Sequence, residues 1–503
     1  MKSYLDWSAY AESGMGDAYA DIPRQGGDFA KAVAVCIKSR QCETRGKGLM
    51  CPSFKATGNP NLSPGGRVRL LKAALNGDPA SPALLGTALA DPGLAEAMGL
   101  CVACKGCKRE CEASVDMALI KTEYLAQRHG GRGAGLRARL FAHLPLWQHR
   151  WPWLNALVRW RNRSPWLARL AERWLGIAAG PRLPVAVRTQ VAGPRPIEVP
   201  FGAPAQASVQ VPAQMRAQVR AQVPAQVPAA EPQAPPSPAS GADPRPLAVL
   251  LVDTFTRLYE PAIAEAAAQV LRAAGFRVEP AAPAAGDPEP SRPLCCGRTY
   301  LAQGMVAEAR AEARRLIDAL LPQVRAGGVV VGLEPSCLLG LRDDYRALGL
   351  GEAALEVGRG ALLLEELLAR EAQAGRLHLG LRPAPAAPAA PSTLVHGHCH
   401  QKAAGAMKSM RKVLKLIPGL DFDLIEAGCC GMAGAFGLER EHADLAGALA
   451  EQALLPALRA QPEAPLIANG FACRQQIRDR TGRAPRHLAE LLREALPPDP
   501  SAS

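Results

Sequence analysis

Apolar residues in the first half of the chain recur at helical spacing. Arg67 to Leu75 (RVRLLKAAL) and Val115 to Gln127 (VDMALIKTEYLAQ) place them at i, i+3 and i+4, the pattern of amphipathic helices. The second half changes period. LAVLLVD, GGVVVGLE, STLVHGH and APLIANG read as short buried strands. Between them, Ala262 to Ala274, Met305 to Leu321 and Ala443 to Leu455 read as helices. Strands alternating with helices predict an α/β fold with a largely parallel sheet. No apolar run reaches the roughly 18 residues of a membrane span. The opening stretch, MKSYLDWSAYAESG, has no apolar signal-peptide core. Both features predict a cytoplasmic protein.

The two halves are separated by a compositional break. From Pro181 to Pro246 there are 15 prolines, with near-repeats in VPAQMRAQVRAQVPAQVPA. Such a sequence cannot bury enough apolar surface to offset its chain entropy, and it reads as a disordered, partly extended linker. A linker of this kind predicts that the two halves swing relative to one another.

The second half reads as a duplication. Cys295-Cys296-Gly297 recurs as Cys429-Cys430-Gly431, 134 residues later. Each doublet is followed by a helical stretch, a strand and one more cysteine, Cys337 in LEPSC and Cys473 in GFAC. The strand ending at Asp253 corresponds to the one ending at His396 to Cys399, although Cys399 has no cysteine counterpart near Asp253.

Length and composition then narrow the classes. The 503 residues suggest about three domains. The hydrophobic share of 48% suffices for a buried core, and with 5% aromatics that core must be mostly Ala, Leu and Val. The net charge of +13 fits an acidic partner, an anionic substrate or a membrane surface. Nucleic-acid binding is not supported, because no recognition fold accompanies the charge. The 14 cysteines are too sparse for a disulfide scaffold and are clustered, which in a reducing compartment points to metal or redox chemistry.

Cys101-x2-Cys104-x2-Cys107-x3-Cys111 carries the strongest chemical signal. Closely spaced thiolates around a tight loop suit a cubane iron–sulfur cluster, whereas zinc sites generally use two separated C-x2-C pairs. Cys36, Cys42 and Cys51, the last followed by Pro52, are candidate ligands beside it. Seven cysteines leave the assignment open. Cys51 with Cys101, Cys104 and Cys107 could hold one cluster, leaving Cys36, Cys42 and Cys111 for a second, incomplete or three-iron one. A single cluster on Cys101, Cys104, Cys107 and Cys111 fits equally.

The runs CIKSRQCETRGKGLMCPSF, GGRVRLLKAAL and LCVACKGCKRECEASVDMALIKTEYLAQ resemble the iron–sulfur region of FAD-linked D-2-hydroxyacid dehydrogenases of the glycolate oxidase, D-lactate and D-2-hydroxyglutarate dehydrogenase type. CCGRTYLAQG, LEPSC, HGHCHQK, CCGMAGAFGLE and GFACRQQI look like their paired CCG domains, which are related to those of heterodisulfide reductase. The departures are Glu112 after Cys111 and the stretch Ser63 to Arg67, neither of which removes a thiolate. No dinucleotide fingerprint is present: Gly130 to Gly135 follows a helix and lacks GxGxxG spacing.

The resemblance implies a multidomain architecture, an α-helical ferredoxin-like domain followed by two tandem α/β CCG subdomains. The boundaries are an N-terminal extension (1–30), the ferredoxin-like 4Fe-4S domain (31–135), a basic Trp-rich helical arm (136–180), the linker (181–245), the first CCG subdomain (246–375), a short linker (376–390) and the second CCG subdomain (391–497). It also implies one or two 4Fe-4S clusters on Cys36, Cys42, Cys51, Cys101, Cys104, Cys107 and Cys111. An additional iron–sulfur cluster would lie on Cys399, Cys429, Cys430 and Cys473, with Cys295, Cys296 and Cys337 a three-cysteine set. Buried thiols in tight turns are the plain alternative for these seven. His396, His398 and His400 would share one strand face, or converge on one site if the strand ends near His396.

Six of the seven tryptophans lie between Trp147 and Trp174, among Arg150, Arg159, Arg161, Arg163, Arg169 and Arg173. They could pack the arm onto the core, dock a protein, or touch anionic membrane at its inner face. The function implied is an iron–sulfur oxidoreductase component. It would take electrons from a FAD-binding dehydrogenase subunit on another chain and pass them to a quinone or other carrier. A heterodisulfide-reductase-like reduction at a CCG-bound cluster and a non-redox zinc scaffold are the alternatives.

Overall fold

Short apolar runs become strands where β-branched and aliphatic residues meet a neighbouring strand. In the computed structural model, which describes residues 2–14, 21–46, 48–77, 82–130, 133–187, 243–385 and 391–498, they form two parallel sheets. The first holds β1 (Leu247–Leu251), β2 (Arg277–Pro280), β3 (Val329–Gly332) and β4 (Ala361–Leu363), in the order β2-β1-β3-β4. The second holds β5 (Thr393–His396), β6 (Phe422–Leu424) and β7 (Leu466–Ala468), in the order β6-β5-β7. Every pairing is parallel. β1 is central between β2 and β3 just as β5 is between β6 and β7, so the duplication read from the cysteines is also a duplication of topology.

The two repeats pack by exchange. The helix Pro261–Ala273, which follows β1, lies on Leu488–Ala495 of the second repeat. The helix Met407–Leu414, which follows β5, lies on Leu364–Gln373 of the first. This reciprocal contact is that of a pseudo-two-fold interface. Leu250, Val270 and Leu368 share one apolar cluster with Val395, Val413 and Leu492.

A buried carboxylate sits in that interface. Glu365 accepts hydrogen bonds from Gln401 Nε2 and, at 3.4 Å, from Asn469 Nδ2. Burial pushes its pKa up to about 7. A carboxyl raised on folding contributes stability below its unfolded value, and loses it as pH rises through the folded value. The loss is on the order of 3 kcal/mol at most. Glu365→Gln is therefore expected to gain stability over the wild type as pH rises from 5 to 8. Melting temperatures across that range check it, and a constant difference would contradict it.

The N-terminal part is helical, as its period predicts. Pro64–Leu75 and Met117–His129 are its longest described helices before residue 130, capped by the side chains of Ser63 and Asp116. Its apolar residues do not form a separate core. Phe29, Leu71, Met98 and Ile120 belong to the same cluster as Leu316, Val330 and Leu348 of the first repeat. Lys105 of the N-terminal part, 7% exposed, lies 2.6 Å from both Asp343 and Asp344 and 3.5 Å from Asp116. Residues 1–187 and 245–503 form one compact unit. The expected swing of one half against the other is therefore corrected: it would have to open a shared core and a buried charge network.

Three boundaries also move. Residues 181–187 belong to the packed structure rather than to the linker: Leu183 and Ala186 are buried, and Ala186 N donates to Asn155 Oδ1 at 2.9 Å. The expectation for 188–242 lies outside the described residues. The short linker at 376–390 packs over its described part, where Leu379 is buried and Arg382 N donates to Ala495 O at 2.7 Å. The helix expected over Ala443 to Leu455 is two, Ala443–Glu451 and Leu454–Ala460.

Candidate metal centres and the cavity between them

In an open parallel sheet, ligands collect outside the carboxyl ends of the strands. The cysteines of both repeats lie there. Cys337 is the third residue of the helix Pro335–Arg342 after β3, and Cys473 the third of Phe471–Thr481 after β7. Cys399 is the first residue of the helix Cys399–Ala404 after β5. The matching first residue after β1 is Thr254, behind the N-cap Asp253, as Cys399 is behind the N-cap His398. Thr254 therefore stands where the second repeat has its additional cysteine. Its Oγ1 is buried beside Cys295 and has no conventional hydrogen-bond partner.

The doublets are held by one device. Gly297 and Gly431 have φ of +74° and +91°, and their amides donate to Cys295 Sγ at 3.4 Å and Cys429 Sγ at 3.3 Å. A Cβ on Gly431 would lie 2.0 Å from the Ala446 carbonyl oxygen; at Gly297 the matching distance, to Ala309 O, is 2.8 Å. Gly431→Ala is expected to cost about 1–3 kcal/mol in strain and to displace Cys429 and Cys430. Gly297→Ala should cost less. Melting temperature and bound iron check both, and equal, negligible effects would contradict the clash.

In the second repeat the structure brings Cys399, Cys429, Cys430 and Cys473 together. Cys429 lies beside Cys399 and Cys430, and Cys430 beside Cys473 and His396. Ligand atoms of His396, Cys430 and Cys473 lie within 4.8 Å of one another. His396 is 2% exposed, and neither ring nitrogen has a conventional hydrogen-bond partner. The neighbouring Cys429 holds the Cys399 thiol down to about 6. Contacts with Cys429, Cys473 and His396 hold Cys430 well below its ordinary value. Their partners Cys429 and Cys473 rise, through those same contacts and burial. Metal binds the thiolate, and His396 beside Cys430 favours that form.

The first repeat differs. Cys296 lies beside both Cys295 and Cys337. The neighbouring Cys296 lowers Cys337, but burial and the carboxylates of Asp253 and Glu334 outweigh it and push that thiol up to about 12. Asp253 and Glu334 oppose thiolates here and Arg257 offsets them in part, whereas in the second repeat Glu334 reaches Cys473 but His396 and the buried Lys402 accompany the thiols. The donor set of the second repeat fits a metal better.

In the N-terminal part, Cys51, Cys101, Cys104 and Cys107 are all buried and line one small pocket. Arg67 enters it, fully buried. Its Nη1 is 3.5 Å from Cys51 Sγ, its Nε donates to Ala97 O at 2.6 Å, and its Nη2 has no hydrogen-bond partner. A buried guanidinium needs an anion, and a thiolate-ligated cluster of net negative charge would be one. The four thiols and the orphaned Nη2 thus fit an iron–sulfur group. Glu110 shapes the approach by accepting from the amides of Leu49 at 2.7 Å and Met50 at 2.8 Å. Of the other candidates, Cys42 accepts from Gly65 N at 3.3 Å and has Cys36 as a neighbour. Cys111 is half-buried after the helix Gly106–Glu110 and does not line the pocket of the four. Arg67, Lys105, Glu110 and Lys121, whose Nζ donates to the Cys101 carbonyl at 2.6 Å, were not singled out from sequence.

The two sites adjoin. Cys104 shares an apolar cluster with Cys399 and Cys429. Burial, then the Cys399 thiol beside it, pushes the Cys104 thiol well above its ordinary value. Of the three histidines two converge: the rings of His398 and His400 meet edge-on with centroids 5.2 Å apart, and both line one cavity, while His396 stays apart. His396 stays with Cys430 and Cys473, His398 caps its helix with Nε2 4.0 Å from Glu334, and the His400 ring contacts Ala103 O at 3.1 Å in the Cys101–Cys104 loop.

Beside this junction lies a cavity of about 1040 Å³. Cys101 and Ala103 line it from one side, and His398 and Cys399 from the other. Leu119, Phe141 and Phe436 give it apolar walls; Glu334 and His442 add polar groups. This volume is at the upper end of small-molecule sites.

Comparison with known proteins finds similar sequences among dehydrogenases. The chain is 23% identical over 519 aligned residues to the D-2-hydroxyglutarate dehydrogenase of Escherichia coli K12, covering 93% of this chain and 45% of that protein. It is 26% identical to one subunit of the anaerobic glycerol-3-phosphate dehydrogenase of the same organism, over 41% of this chain and 50% of that polypeptide. It is 27% identical to the D-2-hydroxyglutarate dehydrogenase of Pseudomonas putida, over 48% of this chain and 22% of that protein. The chain thus spans about half the length, or less, of these relatives. No family model and no solved structure matches. All three relatives are dehydrogenases or parts of one, which supports an oxidoreductase component.

Proposed function

We propose that the chain is the iron–sulfur electron-transfer component of a dehydrogenase acting on a small 2-hydroxy acid. A FAD-binding subunit would be its electron donor, and a quinone or other carrier its acceptor. The observation that carries this reading is the adjacency of two buried cysteine sites, Cys51/Cys101/Cys104/Cys107 and Cys399/Cys429/Cys430/Cys473, through Cys104 and Cys399. An iron–sulfur cluster on such thiolates supplies one-electron chemistry at a potential set by charge, hydrogen bonding and burial.

The chain's own residues do the rest. Arg67 balances thiolate charge at the first site, and Gly106 N donates to Cys104 Sγ at 3.4 Å. His400 ties the loop carrying Cys101 and Cys104 to the helix carrying Cys399. The cavity gives an acceptor access to Cys399. In this reading the ligands of the first site are Cys51, Cys101, Cys104 and Cys107. Cys36, Cys42 and Cys111 are left for a second, incomplete set.

Electron paramagnetic resonance of the anaerobic protein after dithionite reduction tests the proposal. Iron–sulfur signals that vanish on reoxidation are expected; their absence from a zinc-loaded protein would refute it. The cavity at Cys399 also favours a second reading, in which the acceptor is reduced at the second-repeat site itself. Replacing Cys429 and Cys430 with serine discriminates. Turnover lost while the first site is still reduced by the donor would select it.

A further inference from the structure

The helices Leu154–Arg163 and Pro165–Leu175 each carry a row of large apolar side chains that the fold leaves bare. On the first, Trp153, Leu157 and Trp160 are 61%, 49% and 56% exposed. On the second, Trp166, Leu170 and Trp174 are 61%, 45% and 72% exposed. Spacings of three and four align each row on one face. The rings of Trp160 and Trp166 meet edge-on with centroids 6.3 Å apart, joining the rows.

The exposure does not come from a loosely held arm. The opposite faces bury Asn155, Val158, Arg161 and Ala168. Arg161 donates to the carbonyls of Pro181 and Ala178, and Asn162 is hydrogen-bonded in both directions to Leu183. The expectation that these tryptophans pack the arm onto the core is therefore corrected for five of the six: Trp151 is exposed as well.

The charge around the rows has one sign. Arg150, Arg159, Arg163, Arg169 and Arg173 are exposed. The one carboxylate in 136–175, Glu172, accepts from the amide of Ala179 at 3.1 Å. Tryptophan beside arginine on a short amphipathic helix suits the boundary between headgroups and acyl chains, and the cations suit anionic lipid. Among the described residues no helix is long and apolar enough to cross a membrane, so contact would be at the surface. One further observation favours lipid over a protein partner. Trp174 belongs both to the exposed row and to the wall of the cavity that reaches Cys399, and exposed Leu136 lines the same cavity. The bare face is thus continuous with an apolar-walled chamber.

We propose that the rows Trp153-Leu157-Trp160 and Trp166-Leu170-Trp174 seat this protein on an anionic lipid surface, with the flanking arginines on the headgroups. The test is flotation of the full chain with vesicles of phosphatidylglycerol and phosphatidylethanolamine, against vesicles of phosphatidylcholine alone. Flotation with the anionic vesicles only is expected, weakening as salt screens the arginines. Combined Trp160→Ser, Trp166→Ser and Trp174→Ser should reduce it at least tenfold while leaving iron content and melting temperature unchanged. Because six of the seven tryptophans lie in the arm, intrinsic fluorescence should shift to the blue on vesicle addition. Failure to float with anionic vesicles, or flotation untouched by the triple substitution, would overturn the proposal. So would an arm whose substitution releases a dehydrogenase subunit and not vesicles. Flotation reads the surface alone, so it succeeds or fails independently of the redox reading.

Discussion

Cys104→Ser is expected to remove most of the iron from the N-terminal site and to slow electron transfer from a reduced flavin donor by at least about 100-fold, beyond what loss of a supporting group near a metal costs. Cys104 lines the pocket shared with Cys51, Cys101 and Cys107, and it also packs in the cluster of Cys399 and Cys429. The substitution therefore acts at the site and at its junction with the next. Cys295→Ser provides the contrast. The thiols of the first repeat face the carboxylates of Asp253 and Glu334, and Thr254 replaces their fourth cysteine. Iron content and transfer rate should change little there. Equal losses from both substitutions would place the two repeats on the same footing and contradict the distinction between them.

Lys105→Met is expected to destabilise the protein by about 3–5 kcal/mol, the cost of leaving buried charges without their partner. Lys105 is 7% exposed, and Asp116 and Asp344 beside it are 2% exposed each. Lys108 retains Asp116 at 3.0 Å and Arg298 retains Asp344 at 2.7 Å, so part of the network survives. The exposed pair Arg359–Glu352, at 2.7 Å, gives the comparison. Its removal should cost no more than about 1 kcal/mol. Melting temperatures of Lys105→Met and Arg359→Ala measure the difference. Similar values would mean that the network does not hold the N-terminal part to the first repeat.

The strands and the duplication were legible in the sequence because buried parallel strands are nearly continuous apolar runs, and because two Cys-Cys-Gly turns need the same glycine for the same reason. What sequence could not supply was contact between distant segments. The proline-rich stretch suggested two independent halves, but Ile120 and Leu316 lie in one core. Thr254 was missed as the counterpart of Cys399 because the comparison followed cysteines, whereas the structural equivalence is the first residue of the helix after β1 and β5. Arg67 sits in a stretch correctly read as helical, yet nothing in its spacing says that this arginine is fully buried against Cys51. The three histidines alternate as on a strand. The chain turns into a helix at His398, so His398 and His400 meet edge-on while His396 stays with Cys430 and Cys473.

The central claim is that these cysteines hold iron and sulfide. The most direct measurement is iron and acid-labile sulfide per chain, on protein purified without oxygen. The account predicts both, in comparable amounts, with at least one four-iron cluster per chain and more if the second-repeat site is also filled. Zinc in place of iron, or no metal after anaerobic purification, would contradict it.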